Sequence, residues 1–261
     1  MRHLRIYGLF FKQYLKGLVN YRVDFLIGTV AFIINQGLGI IFLYIIFQNI
    51  GSLAGFSGTE VVLMYGLSQI PKGIDHLIFD NIWLLPRRIK SGEFDRYLLR
   101  PIDPLYAFLI ERFQPDAFGE LILGTGLAIY ALTNLSIAFL GWRLLGLLVF
   151  IIIGTFIFTA IKLLTASTAF WIKNCYPLMQ ITYDLNDYSK YPRTIFPKVI
   201  QFIMTFVVPF ALVSFFPSLF LLGRLSFLEV LVIILPVTVF LAFLAFFVWK
   251  RGLKHYESSG S

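Results

Sequence analysis

Three charged residues interrupt an otherwise apolar run at Lys72, Asp75 and His76. On a helix they share one face, so Lys72 and Asp75 partly neutralise each other. A charge at the centre of a membrane helix costs at least about 2.5–3.5 kcal/mol on insertion scales, so such residues call for a role. Either this face lines a translocation path or dimer interface, or it sits on a peripheral helix at headgroup level. Lys162 lies deeper in a second apolar run and has a stem long enough to snorkel toward Lys173. Asp184 and Asp187 are spaced like a metal pair, yet no third acid or histidine stands nearby, and turn or capping roles fit better. His3, His76 and His255 have no partner at ligand spacing. Cys175, alone in the chain, excludes an internal disulfide. No H-E-x-x-H, G-x-S-x-G or G-x-x-x-x-G-K-[ST] motif occurs, so neither metalloprotease, serine-hydrolase nor ATP-hydrolysing chemistry is encoded here.

The second concentration of charge is the stretch FDRYLLRPIDPLY, Phe94 to Tyr106. Pro86 starts a short helix that Ser91-Gly92 ends. A second helix follows, with acids at its start and Arg96 and Arg100 toward its end, an order that complements the helix dipole. Pro101 stops it, and Asp103-Pro104 reads as an N-cap with a first-turn proline. The short helix offers Phe94, Tyr97 and Leu98 beside charges, a composition suited to a protein interface or to lipid headgroups.

These segments are held by a chain that is 58% hydrophobic and 14% charged, which makes it an integral membrane protein rather than a soluble one. The expected fold is all-α: six transmembrane helices near 25–47, 60–81, 115–134, 145–171, 197–221 and 227–249. Residues 1–22 read as an amphipathic interfacial helix, with Arg2, Arg5, Lys12 and Lys16 on one face and Leu4, Tyr7, Phe11 and Leu18 on the other. The N-terminus does not read as a secretory signal. Pro209 and Pro217 break the fifth segment and imply a helix end or re-entrant piece shielded by protein or water. A single membrane domain over 1–261 is expected, with cytoplasmic loops at 82–114 and 172–196 and a tail at 250–261.

Charge sets the orientation. Of 22 Lys and Arg, only Arg143 and Arg224 fall in the loops opposite the N-terminus, and Lys72 and Lys162 fall inside spans. The rest lie on one side, so both termini and the two long loops are expected in the cytoplasm of a cell-membrane protein. The formal charge of +8 therefore reads as topology, and no nucleic-acid partner is expected.

The run IKSGEFDRYLLRPIDPLY resembles the signature loop of ABC-2-type transporter permeases, in particular a six-span bacterial branch. YPRTIFP (Tyr191–Pro197) and VVPFALVSFFPSLFLLG (Val207–Gly223) resemble the same branch in order and spacing. The resemblance implies a permease subunit, an exporter, that dimerises with an identical or related chain and binds separate ATP-binding cassette ATPase subunits. ATP and Mg would be used by that partner; this chain is expected to bind no cofactor or metal and not to be an enzyme. The coupling role falls on Glu93, Phe94, Asp95, Arg96, Tyr97, Leu98, Leu99 and Arg100. A re-entrant external segment would contain Pro209, Phe216 and Pro217. Two other readings stay open at this level: an ion-gradient-driven secondary transporter, which would want inverted repeats and midplane carboxylates, and a lipid-modifying membrane enzyme.

Overall fold

The computed structural model describes residues 22–112, 114, 117–137, 140–172 and 174–257. The amphipathic helix expected at the N-terminus lies outside the described residues. The first helix, α1 (Arg22–Asn49), is apolar almost all round and exposes Leu26, Ile34, Leu38 and Ile41, as a lipid-facing helix does. The second, α2 (Gly58–Phe79), starts at a capping box: the Ser57 hydroxyl accepts from the Glu60 amide at 3.3 Å and the Glu60 carboxylate accepts from the Ser57 amide at 2.8 Å. No residue of α2 is exposed. A 3₁₀ turn (Asp80–Leu84) leads into three short helices, α3 (Leu85–Lys90), α4 (Asp95–Leu98) and α5 (Pro104–Leu109).

Next come α6 (Ala117–Asn134) and α7 (Leu140–Ser167), then α8 (Tyr176–Asp184) and a 3₁₀ segment (Leu185–Lys190). A short helix α9 (Lys198–Phe202) runs into a π-turn (Ile203–Val207), followed by α10 (Ala211–Leu221) and the closing α11 (Phe227–His255). A second capping box, Ser226 with Glu229, starts α11.

Small residues let α2 and α6 touch. A Cβ on Gly66 would meet the Ala128 amide nitrogen at 2.7 Å, and one on Gly124 would meet the Gln69 Cβ at 2.8 Å. On its other sides α2 packs against α7 and α10. A Cβ on Gly154 of α7 would lie 3.1 Å from the Pro71 ring, which fills the kink-prone turn of α2.

Six membrane-crossing helices were expected, and the described residues do not contain them. Among the described residues three are long and apolar enough: Leu26–Asn49, Gly141–Phe170 and Phe227–His255. A fourth exists only if Lys198–Val207 and Ala211–Leu221, which meet at 99°, are counted as one broken span or re-entrant loop. The expectation fails at α2, which carries Glu60, Lys72 and Asp75, and at α6, an 18-residue helix with Glu120 and three glycines. For α2 the physical reason is burial. Helix α2 contacts protein on every side, so it can hold charges that lipid would reject. In the fifth segment the break falls at 208–210, inside the expected span rather than between it and the next. Pro209 is buried there, and apart from Leu219 all of α10 is buried too.

The ends of the bundle differ in charge. Arg224 pairs with Glu60 at 2.6 Å, and Arg143 donates to the Leu221 carbonyl at 2.7 Å, gathering the two lone basic loops at one end. The short helices α3 to α5 and the C-terminal end of α11 meet at the other.

Candidate functional site

The charged segment after α3 is fixed by its own backbone first. Ser91 ends α3 by donating to the Arg87 carbonyl at 2.9 Å, and Gly92 turns the chain with φ of 73°, a left-handed conformation that suits glycine. The following helix, α4, has only four residues, shorter than the expected FDRYLLR helix. Asp103 caps α5 by accepting from the Tyr106 amide at 3.0 Å, with Pro104 in the first turn, as the Asp-Pro pair predicts.

Phe94 and Tyr97 do not face outward. Both are fully buried. Phe94 sits among five rings, with centroids 5.6 Å from Tyr97, 6.2 Å from Phe108, 5.6 Å from Phe170, 5.9 Å from Trp249 and 5.2 Å from Tyr256. Four of these pairs are edge-to-face, the arrangement the ring quadrupole favours. Tyr256 donates to Asp95 at 2.7 Å. Burial, then Asp95, pushes the Tyr256 hydroxyl up to about 12, so it stays a donor at neutral pH.

Charges brace the same segment. Arg96 and Arg100 lie 5.0 and 5.2 Å from the Tyr97 ring, and both reach Glu111, Arg100 at 3.4 Å. Arg88 joins Glu93 at 2.6 Å and Glu111 at 3.6 Å. What is left at the surface is Glu93, part of Arg96, Leu98 and Leu99; Leu99 is 85% exposed. A rigid platform therefore presents an apolar tip beside one acid and one base. Through Phe170 and Trp249 the platform is fastened to the ends of α7 and α11.

The second polar group lies inside the bundle. Asp75 and Lys162 pair at 2.6 Å with both side chains fully enclosed, and Thr159 donates to Asp75 at 2.7 Å. Glu120 of α6 takes Lys72 at 3.2 Å and His76 at 2.9 Å. Tyr183 shares a hydrogen bond with His76 Nε2 and lies 5.6 Å from the Lys72 ammonium. So Lys72 and Asp75 do not neutralise each other, and Lys162 does not snorkel toward Lys173; each charge finds its partner on another helix. Spacing along one helix does not reveal Glu120, Thr159 or Tyr183 as partners, and for Lys162 it points to Lys173 instead of Asp75. The available signal was the balance of two acids and two bases within apolar segments, which must pair somewhere in a low dielectric.

Asp184 accepts from Gln180 at 2.7 Å and Asp187 pairs with Lys190 at 2.9 Å. Among the described residues no group of three or more His, Cys, Asp or Glu could hold a metal ion. Lys190 reads from the sequence as a loop charge, but it donates to Gln36 at 3.3 Å and lies 5.1 Å from the Tyr65 ring, so its loop folds back against α1 and α2. At the broken segment Arg193 donates to Thr205 at 2.8 Å and stands 5.4 Å from the Phe216 ring, beside Pro217.

Residues 33–260 match the family described as ABC-2 family transporter protein. The chain belongs to that family. It is an all-α multi-pass membrane protein of the ABC-2 permease family, whose members are non-catalytic permease subunits. ABC-2 proteins typically partner with ABC ATPase subunits and membrane lipids. No curated protein and no solved structure matches the chain.

Proposed function

We propose that this chain is the permease subunit of an ATP-driven exporter, working as a dimer and coupled to separate ATPase subunits through the segment Glu93 to Arg100. The observation that carries the reading is the exposed Leu98–Leu99 tip on a buried aromatic footing, in a chain of the ABC-2 family. Leu98, Leu99, Glu93 and Arg96 touch the ATPase; Phe94, Tyr97, Asp95 and Arg100 hold the tip and pass its displacement to α7 and α11. Aromatic footing matters because a loose loop would absorb the motion instead of transmitting it.

Both termini and the short-helix end are cytoplasmic in this reading, since that end carries Arg87, Lys90, Arg96, Arg100, Lys250, Arg251 and Lys254. Helix α10, with Phe216 and Pro217, then rises from the break at Pro209 to the external end, where Leu221 meets Arg143. Lys72 and His76 pair with Glu120, and Asp75 with Lys162, so these charges tie α2 to α6 and α7 and stiffen the wall behind the substrate path.

The test is purification with and without the ATPase. The chain alone should show no ATP hydrolysis, and Leu98→Glu with Leu99→Glu should abolish co-purification while thermal stability stays within about 0.5 kcal/mol, as for other surface changes. Hydrolysis by the lone chain, or an intact complex in the double variant, would contradict the proposal.

A further inference from the structure

Lys250, Arg251 and Lys254 stand exposed on the last turns of α11, and among the described residues none of them has an ion-pair partner. With Phe243, Phe246 and Phe247 they recur at spacings of three and four, which places all six on one helix face. Together they line a groove of about 300 Å³. Lys250 Nζ lies 4.4 Å from the Phe246 ring and the Arg251 guanidinium 5.3 Å from that of Phe247. The opposite face of the same turns, Leu241, Ala245, Trp249 and Gly252, is buried in the bundle.

The groove changes character along its length. Its phenylalanines belong to a helix long and apolar enough to cross a membrane, with mean hydropathy 3.0 over an 18-residue stretch, so acyl chains are the surroundings that suit them. From Phe243 to Lys254 the helix rises about 16 Å, enough to pass from hydrocarbon into the headgroup layer. The other end of α11 exposes Leu228 and Val232, and its only nearby charge of this helix is Glu229, engaged by Ser226. The cations therefore face one leaflet only, and they complement an anion there.

We propose that this stripe binds an anionic glycerophospholipid, its phosphate held between Lys250, Arg251 and Lys254 and its acyl chains laid along Phe243, Phe246 and Phe247. The lipid assignment follows from the two halves of the site: hydrocarbon is the solvent at the phenylalanines, and a phosphodiester is the anion joined to it. A bound lipid presses on the helix end whose other face holds Trp249 against Phe94, so occupancy steadies the aromatic footing.

The experiment compares phosphatidylglycerol with phosphatidylcholine of identical acyl chains, bound to the purified full chain in neutral detergent and read by native mass spectrometry. Phosphatidylglycerol should bind roughly tenfold or more tightly, since each basic side chain near an anionic surface contributes measurably. The preference should fall to within about twofold in K250Q/R251Q/K254Q and survive in K250R/K254R. Equal binding of the two lipids by the native chain overturns the proposal without reference to any variant. So does a preference unchanged in the triple glutamine variant, or a triple variant that loses only its dimer and keeps its lipid selectivity.

Discussion

Asp75 and Lys162 are fully enclosed and joined at 2.6 Å, so removing one strands the other in a low-dielectric interior. Asp75→Asn should cost about 3–5 kcal/mol, read as a fall in the thermal midpoint of the detergent-solubilised chain. Pairing Asp75→Asn with Lys162→Met should recover most of that loss. A single variant as stable as the native chain would mean that the pair contributes no such constraint. Tyr256→Phe removes one charge-assisted bond to Asp95 and should loosen the platform by about 1.5–3 kcal/mol. At this scale the sequence is partly legible. That Lys72, Asp75 and His76 matter follows from their cost in an apolar run; their partners do not, because Glu120 and Lys162 lie on other helices, and spacing reports only neighbours on the same one. Phe94 and Tyr97 were expected outward beside their charges. They turn inward because Phe108, Phe170 and Trp249, distant in sequence, supply a pocket of rings.

The α2–α6 seam depends on backbones in near contact. Gly66→Ala should destabilise by about 1–3 kcal/mol, because the new Cβ meets backbone atoms that cannot swing aside. Gly126→Ala, on the open side of α6 with nothing within 4 Å of the added carbon, is the matched control and should be neutral or slightly stabilising. Equal thermal midpoints for the two would refute the close-packing account. Helix positions were readable from hydropathy: 60–81 became Gly58–Phe79 and 115–134 became Ala117–Asn134. Their ability to cross a membrane was not, because it depends on whether lipid or protein surrounds each face. A buried helix such as α2 needs less apolarity than its length suggests. The Leu185–Lys190 segment was illegible for the opposite reason: its charges read as loop, while Gln36, Tyr65 and the Ser214 hydroxyl, which donates to the Ser189 carbonyl, draw it into the bundle.

As a whole the molecule differs in build between its two ends. One end ties its loops together through Arg224–Glu60 and Arg143–Leu221. The other carries a braced platform that joins α4 to α7 and α11 and leaves Leu99 exposed at its tip. Coupling of that platform to an ATPase subunit is tested most directly by site-directed cross-linking. In a Cys175→Ala background, Leu99→Cys should cross-link to the co-expressed ATPase subunit, while Leu228→Cys at the far end of α11 should not. Cross-linking at Leu228→Cys with none at Leu99→Cys would contradict both the docking surface and the orientation.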